Sequence, residues 1–502
     1  MPATNVSPAR VMSAHFEGVS IGPDRCPGSL VDKASLLPCH SICVLPPFGV
    51  KRFLPTRIKL ICFATLVLPF ASSSAVVFTV LHTFDNTNDG ERPACPLTIG
   101  PDGYLYGSST GDGTANAGVA FKISSSGSFT NLHSFLGGSD GARPLGGLTA
   151  GTDGFLYGTT ISGGAATNWG TVFKITTNGS LTTLYSFTNG ADGAQPRAGL
   201  AQGSDGFLYG ATLIAPQHQA NGTIFRVSTN GAFSSLHTFT GVDGSSPSAK
   251  FTLALDGTLY GVTQQGGVSN AGTIFKIANG AFESFHSFTT KLGGTIPESS
   301  PIQSADGNFY GIVGGGANSS GLIYRITTNG VFSNLFSLPS AQWSLMGGLI
   351  QARDGYLYGT TAEGGASNQG TIFRATTNGG GFTLLYSFTG GADGSQPLAG
   401  LVQGNDGSFY GTDSGGYSTN WGVIFRLTIL PDVQFAMVTN SFVNFNWIVE
   451  PGGTYQLQSA SDLSSRAWTN LGPPTLATNS SLAASDSFTN STQRFYRLAL
   501  SP

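Results

Sequence analysis

The sequence predicts an all-β chain: a seven-bladed β-propeller followed by a small β-sandwich. Three observations predict it. First, the stretch DGFLYG at Asp153 to Gly158 belongs to a pattern, DG-x-Leu/Phe-YG, that occurs seven times, with its aspartates at Asp102, Asp153, Asp205, Asp256, Asp306, Asp354 and Asp406, a period of 48 to 52 residues. That period belongs to solenoids and propellers. Second, each copy carries four short strand signals; in the second these are LGGLTAG, FLYGTTIS, GTVFKITT and SLTTLYSF, with Asp153-Gly154 and Asn178-Gly179 at turns that need φ > 0. Third, the ends of the array complement each other. The last copy stops after its third strand, GVIFRLTIL at Gly422 to Leu430, while VVFTVLHTF at Val76 to Phe84 supplies an unpaired fourth strand ahead of the first copy. A strand from the N-terminus that completes the last blade removes two sheet edges. An open solenoid, the alternative, would need capping repeats, and the sequence shows none.

The elements follow in chain order. Residues 1–75 contain no repeat and end in KRFLPTRIKLICFATLVLPFASSSA. Lys51, Arg52, Arg57 and Lys59, an apolar run from Ile58 to Phe70, and small residues at Ser73 and Ala75 read as a secretory signal with cleavage after Ala75. The run is short for a bilayer span, so membrane contact is expected only through this segment before cleavage. A signal beginning 50 residues into the chain points to Val50 as the translation start. Its removal takes seven of 23 Lys and Arg and three of 26 Asp and Glu, leaving 16 basic against 23 acidic residues. That balance argues against a nucleic-acid partner. Cys26, Cys39, Cys43 and Cys62 leave with the leader, so Cys95 alone remains and packing, without disulfides, must stabilise the fold.

Within the array, a Pro stands nine residues before the motif Asp at Pro93, Pro144, Pro196, Pro247, Pro297 and Pro397, with Leu345 in the sixth copy. Two residues on, every copy is small: Cys95, Gly146, Ala198, Ala249, Ser299, Gly347 and Ala399. First strands crowd a propeller axis, where close backbone approach favours small side chains. Residues 431–502, with FVNFNWIV, YQLQSASDLSSRAWTNLG and RFYRLAL, resemble the small C-terminal immunoglobulin or fibronectin type III sandwiches of exported bacterial proteins.

The sequence DGxLYG, GGxxNxGTIFR, TNGxFxxLxSF and DGxxP resembles the bacterial extracellular tandem-repeat family named GloVer, over about Val76 to Leu430. The resemblance implies export and an extracellular or cell-surface location through a secretion signal and a variable anchor. It brings no catalytic residues. The family's C-terminal sorting tail, an apolar helix with a basic end, is not found in this sequence.

Most candidate catalytic groups are absorbed by the repeats. Seven Asp belong to DGxLYG, and Asp89, Asp140, Asp192, Asp243 and Asp393 begin DGxxP, where an Asp side chain bonds nearby amides. His82, His133, His237 and His286 share one strand position with Tyr185, Phe336 and Tyr386, and His218 stands alone in a loop. No GxSxG, P-loop or HExxH occurs, so no nucleotide, cofactor or metal set is nominated. DNTNDG at Asp85 to Gly90 lacks the spacing of a calcium loop. The loops DGxxP and GGxxNxG open on the same side of each blade, gathering Arg92, Arg143, Gln195, Arg197, Glu298 and Gln396 with Asn116, Asn168, Asn221, Asn270, Asn318, Asn368 and Asn420, beside Trp169 and Trp421. Amides with exposed rings suit sugar recognition, so a non-catalytic scaffold that binds polysaccharide or surface glycan is expected. Turn formation by the Asn and packing by the two Trp compete with that assignment. The alternatives are a polysaccharide-active enzyme using Asp112, Glu298 or Asp413, and a purely structural envelope protein.

Overall fold

The structure is a computed structural model and describes residues 42–44, 66–69, 76–85, 89–111, 113–165, 168–214, 221–289, 294–314, 321–338, 347–415, 421–430, 432–438, 442–449, 452–460, 468–479, 481–487 and 494–500. All regular structure among them is β, and no helix among them is long and apolar enough to cross a membrane. The leader expected before Ala75 lies outside the described residues, apart from two short strands, Ile42–Val44 and Leu66–Pro69. Two compact units result: residues 78–404 with 409–427, and the rest of the chain.

In the first unit each copy of the motif builds one four-stranded antiparallel sheet. The second copy gives Thr149–Ala150, Leu156–Thr160, Thr171–Ile175 and Leu181–Ser186, hydrogen-bonded in that order. The DGxLYG motif is a closed device. Asp153 Oδ1 accepts from the Phe155 amide at 3.3 Å while Oδ2 accepts from Tyr157 Oη at 2.6 Å. The same Asp–Tyr bond recurs at Asp102–Tyr106, Asp205–Tyr209, Asp306–Tyr310 and Asp354–Tyr358. One side chain thus caps the turn and pins the strand that leaves it.

The first strand is shorter than LGGLTAG suggests, with two ladder residues in each sheet. Crowding explains the difference. A Cβ on Gly146 would stand 2.8 Å from the Ala198 carbonyl group of the next copy, so these segments run too close together for large side chains or a longer ladder. Their carbonyls are satisfied by neighbours: Ser108 Oγ donates to Pro144 O at 2.7 Å, Thr149 Oγ1 to Leu200 O, Thr159 Oγ1 to Ala198 O and Thr360 Oγ1 to Ala399 O at 3.0 Å. Cys95 belongs to this set of first-strand residues as a buried small one, its Sγ donating to Leu145 O at 2.8 Å.

Consecutive sheets also stack rings along their outer strands. Tyr185 lies on Phe233 at 4.0 Å, His237 on Phe282 at 3.8 Å, His286 on Phe332 at 4.9 Å and Phe336 on Phe382 at 4.6 Å. Offset stacks of this kind add about 0.5–1.5 kcal/mol each beyond area burial. Val76–Thr83 is the fourth strand of the last sheet, beside Val423–Ile429. Its Phe78 stacks on Tyr386 of the sixth copy at 4.0 Å, and its His82 on Phe129 of the first at 3.9 Å. The Phe84 amide donates to Gly422 O at 3.0 Å, as Phe135, Phe187 and Phe239 donate to Gly118, Gly170 and Gly222 within their own copies. Thr412 Oγ1 of the last copy reaches Cys95 O of the first at 3.0 Å.

The second unit holds two sheets. Asp432–Val438, Phe442–Ile448 and Ser481–Ser487 form one, with Leu66–Pro69 at its edge. Thr454–Ala460 and Arg494–Leu500 form the other, with Thr469–Asn470, Thr475–Leu476 and Ile42–Val44. One core of Val443, Phe445, Trp447, Tyr455, Leu457, Tyr496 and Leu498 draws on both sheets. The alternation of FVNFNWIV is visible there, since Val443, Phe445 and Trp447 are buried while Asn444 and Asn446 are only half-buried.

Removing residues 76–84 would expose the edge of Val423–Ile429 and delete Phe78 and His82 from their stacks. Calorimetry of a protein starting at Asp85 is expected to show the main transition lowered by roughly 10 °C or more and broadened. Melting identical to that of the protein starting at Val76 would refute the structural role of this strand.

Candidate binding face and axial cavity

The DGxxP and GGxxNxG loops do come together, and backbone bonds between copies place them. Arg92, Arg143, Gln195 and Gln396, each just before a proline, have φ between 54° and 59° except Arg92 at 52°. This left-handed conformation is sparsely populated for non-glycine residues and is held here by a bond from each amide to the neighbouring copy. Arg92 N donates to Trp421 O at 2.9 Å, Arg143 N to Ala117 O at 2.7 Å, Gln195 N to Trp169 O at 2.9 Å and Gln396 N to Gln369 O at 2.8 Å. The aspartate opening each loop is tied down from below. Asp89, Asp140 and Asp243 accept from His82, His133 and His237 at 2.9, 3.2 and 2.8 Å, and Asp192 and Asp393 from Tyr185 and Tyr386 at 3.0 Å. This pairing is readable in the sequence of five copies, where His or Tyr on the strand is followed by Asp in the loop, whereas His286 is followed by a loop, GGTIP, that has no Asp.

Among the predicted site residues, the asparagines act first in turns. Asn168, Asn270 and Asn368 have positive φ, and their Oδ1 atoms accept from the amides of Gly163, Gly266 and Gly364 at 2.6, 2.8 and 2.9 Å. Trp169 is half-buried against Tyr157, Val172 and Phe187, and Trp421 against Phe84, Leu97 and Ile424. Asn420, Asn318, Asp112 and His218 lie outside the described residues. Arg92, Arg143 and Arg197 are exposed, while Gln195 and Gln396 are half-buried.

A cavity of about 640 Å³ is lined by the innermost segments of the first unit, among them Pro96, Gly146, Gly199, Phe251, Gly348 and Leu401. Three charged side chains line it: Arg197, Lys250 and Glu298. Glu298 Oε2 accepts from Gln264 Nε2 at 2.8 Å. Burial raises the Glu298 carboxyl above its ordinary range, against the opposing pull of Gln264 and of Arg197. Lys250 reaches water inside the cavity but is walled in by protein, and that enclosure pushes its ammonium down to about 8. Lys250 was missed from sequence because its position, three after the repeated Pro, holds Pro96, Gly147, Gly199, Ser300, Gly348 and Gly400 in the other copies and belongs to no motif.

Asp413 is sealed in the last sheet at 0% exposure and does not line this cavity. Its position explains it. The four pairs Thr160–Thr171, Thr212–Thr223, Thr263–Thr273 and Thr361–Thr371 share hydroxyl bonds of 2.7–2.8 Å at the corresponding site, where the last copy has Asp413 opposite Val423. Burial pushes its carboxyl up to about 8, although the amides of Gly415, Ser395 and Val423 favour the ionised form and only Asp393 adds repulsion. A folded pKa above the unfolded value near 4 means that the stability contribution is complete below about pH 4 and is lost as pH rises towards 8. Asp413→Thr is therefore expected to stabilise by roughly 2 kcal/mol at pH 9 and by little at pH 4, read from urea melts at both pH values. An equal effect at the two pH values would refute the buried-proton account.

The Gloeobacter/Verrucomicrobia repeat description matches residues 70–214, 166–346 and 253–452. None of the curated proteins compared with the chain matches it. Similar solved structures include a gluconolactonase from Xanthomonas campestris, at 10% identity and TM-score 0.39, covering 72% of this chain and 97% of that one. A candidate 6-phosphogluconolactonase from Bacteroides fragilis aligns at 15% identity and TM-score 0.40, covering 77% and 98%. One from Bacteroides uniformis aligns at 16% and 0.40, covering 59% and 84%. Likeness at this level says nothing of ligand or reaction in this chain.

Proposed function

The chain belongs to the Gloeobacter/Verrucomicrobia repeat family, and we propose that it is an exported, closed seven-bladed β-propeller with a small C-terminal β-sandwich, acting as a non-catalytic binding scaffold at the cell surface. Closure is supported by the Phe84–Gly422 and Thr412–Cys95 bonds and by the two stacks of the N-terminal strand, each repeating between the last and first copies a contact made elsewhere in the array. Export is supported by the basic and apolar segment ending at Ala75. The sandwich reading rests on two sheets sharing one core.

One observation carries the binding reading. The repeated Asp, His, Tyr and Asn side chains are spent on holding turns and loops, whereas Arg92, Arg143 and Arg197 vary between copies and remain exposed. Guanidinium groups on one loop face favour an anionic partner with planar acceptors. Acidic polysaccharide is accordingly the preferred glycan class, and Trp169 and Trp421 support the loops from beneath.

The experiment is a binding screen of residues 76–502 against acidic and neutral polysaccharides, with supernatants checked by mass spectrometry for released sugar. Binding of acidic chains without product is expected, weakened roughly tenfold by the double change Arg92→Ala and Arg143→Ala. Released product would establish the enzyme alternative. Silence towards every glycan together with self-assembly would establish the structural one.

A further inference from the structure

The charges of the axial cavity are not balanced. Glu298 is held between Gln264 and the field of Arg197. Lys250 stands apart, with burial as the sole influence on its proton and no ion pair to a carboxylate among the described residues. The same cavity wall carries alcohols: Ser299 and Ser300 both line it, and their Oγ atoms have no hydrogen-bond partner among the described residues. A buried hydroxyl left unpaired costs about 1–3 kcal/mol, and a serine Oγ can both donate to and accept from an occupant's hydroxyl. The volume, about 640 Å³, falls within the roughly 300–1,000 Å³ of small-molecule sites.

We propose that the axial cavity binds a small hydroxylated carboxylate of one or two sugar units, with Lys250 taking the carboxylate and Gln264, Ser299 and Ser300 meeting the hydroxyls. The site takes a singly charged acid in preference to a phosphate. Arg197 is engaged by the field of Glu298, one ammonium is left to balance the ligand, and a second negative charge would stand against the Glu298 carboxylate. An ammonium lining a cavity gains more from a facing carboxylate than the same pair does in bulk water, because the wall lowers the local dielectric. This inference rests on the closed-ring reading, since the innermost segments make the wall, but it does not need the loop-face glycan site.

The test is titration calorimetry of the full chain and of residues 76–502 with glucuronate, with glucose as the neutral control and inorganic phosphate as the competing anion. Wild-type protein at pH 6.5 is expected to bind glucuronate and not glucose. Lys250→Met weakens that binding at least tenfold, and Lys250→Arg keeps it. Raising the pH to 9.5 weakens wild-type binding at least tenfold by removing the Lys250 proton, while Lys250→Arg holds its affinity; Arg197 and Glu298 are the other charged groups that line the cavity. Melting curves of each variant separate lost binding from lost fold. Absence of glucuronate binding by a protein that melts normally, equal binding by Lys250→Met, or tighter binding of phosphate than of glucuronate would each overturn the proposal. Failure of the ring reading shows separately, as unchanged melting once residues 76–84 are removed.

Discussion

Every sheet of the array leaves groups that only the next sheet can satisfy, and the rest of the structure depends on this dependence. The innermost strand offers two ladder residues and several carbonyls, and Ser108, Thr149 and Thr360 reach across to accept the task. The outermost strand offers an aromatic face that stays wet until a ring from the following copy covers it. A single four-stranded sheet of this composition would pay the cost of both. The last sheet meets the same demand with material from the other end of the chain, through Phe78, His82 and Phe84. With only Cys95 free and buried in this unit, no covalent tie shares the work, so stability is spread over small neighbour terms.

The periodic part of this design was legible in the sequence because each repeated residue solves one local problem. Asp153 and Tyr157 close a turn four residues long, and the same bond forms at Asp102–Tyr106, Asp205–Tyr209, Asp306–Tyr310 and Asp354–Tyr358. Turn glycines were readable for the same reason: the conformation they supply is local. What escaped depends on neighbours distant in sequence. The length of the first strand is limited by the approach of Gly146 to Ala198, 52 positions away, and nothing in LGGLTAG reports that distance. The left-handed residues before proline were equally hidden. A residue before proline ordinarily extends, and the amide bonds from Arg92 and Gln195 to the preceding copy override that preference.

The candidate site was half legible. The DGxxP and GGxxNxG loops of neighbouring copies meet through backbone bonds, because the connectivity of an antiparallel sheet fixes which loops share an end. The chemistry of the side chains was not fixed by connectivity. An Asn in GGxxNxG can face a ligand or fold back on its own loop, and the amides of Gly163 and Gly266 decide for Asn168 and Asn270. Arg197 and Glu298 were visible as variable positions, but their common company in a cavity with Lys250 needed the packing of three copies to appear.

Repetition also provides an internal control for judging departures. Where the same slot is filled seven times, a costly exception asks for a reason, and two such exceptions stand out. Asp413 replaces a paired threonine with a carboxyl that burial keeps near neutrality, and no solvent path reaches it. Lys250 replaces a glycine, serine or proline with an ammonium that enclosure weakens, yet it faces a cavity open to water. Both cost stability at alkaline or neutral pH, respectively, but only the second leaves its charge where a ligand can compensate it. Access distinguishes a tolerated defect from a binding group: a sealed carboxyl can recover its cost only by holding a proton, whereas a cation in a cavity recovers it whenever an anion enters.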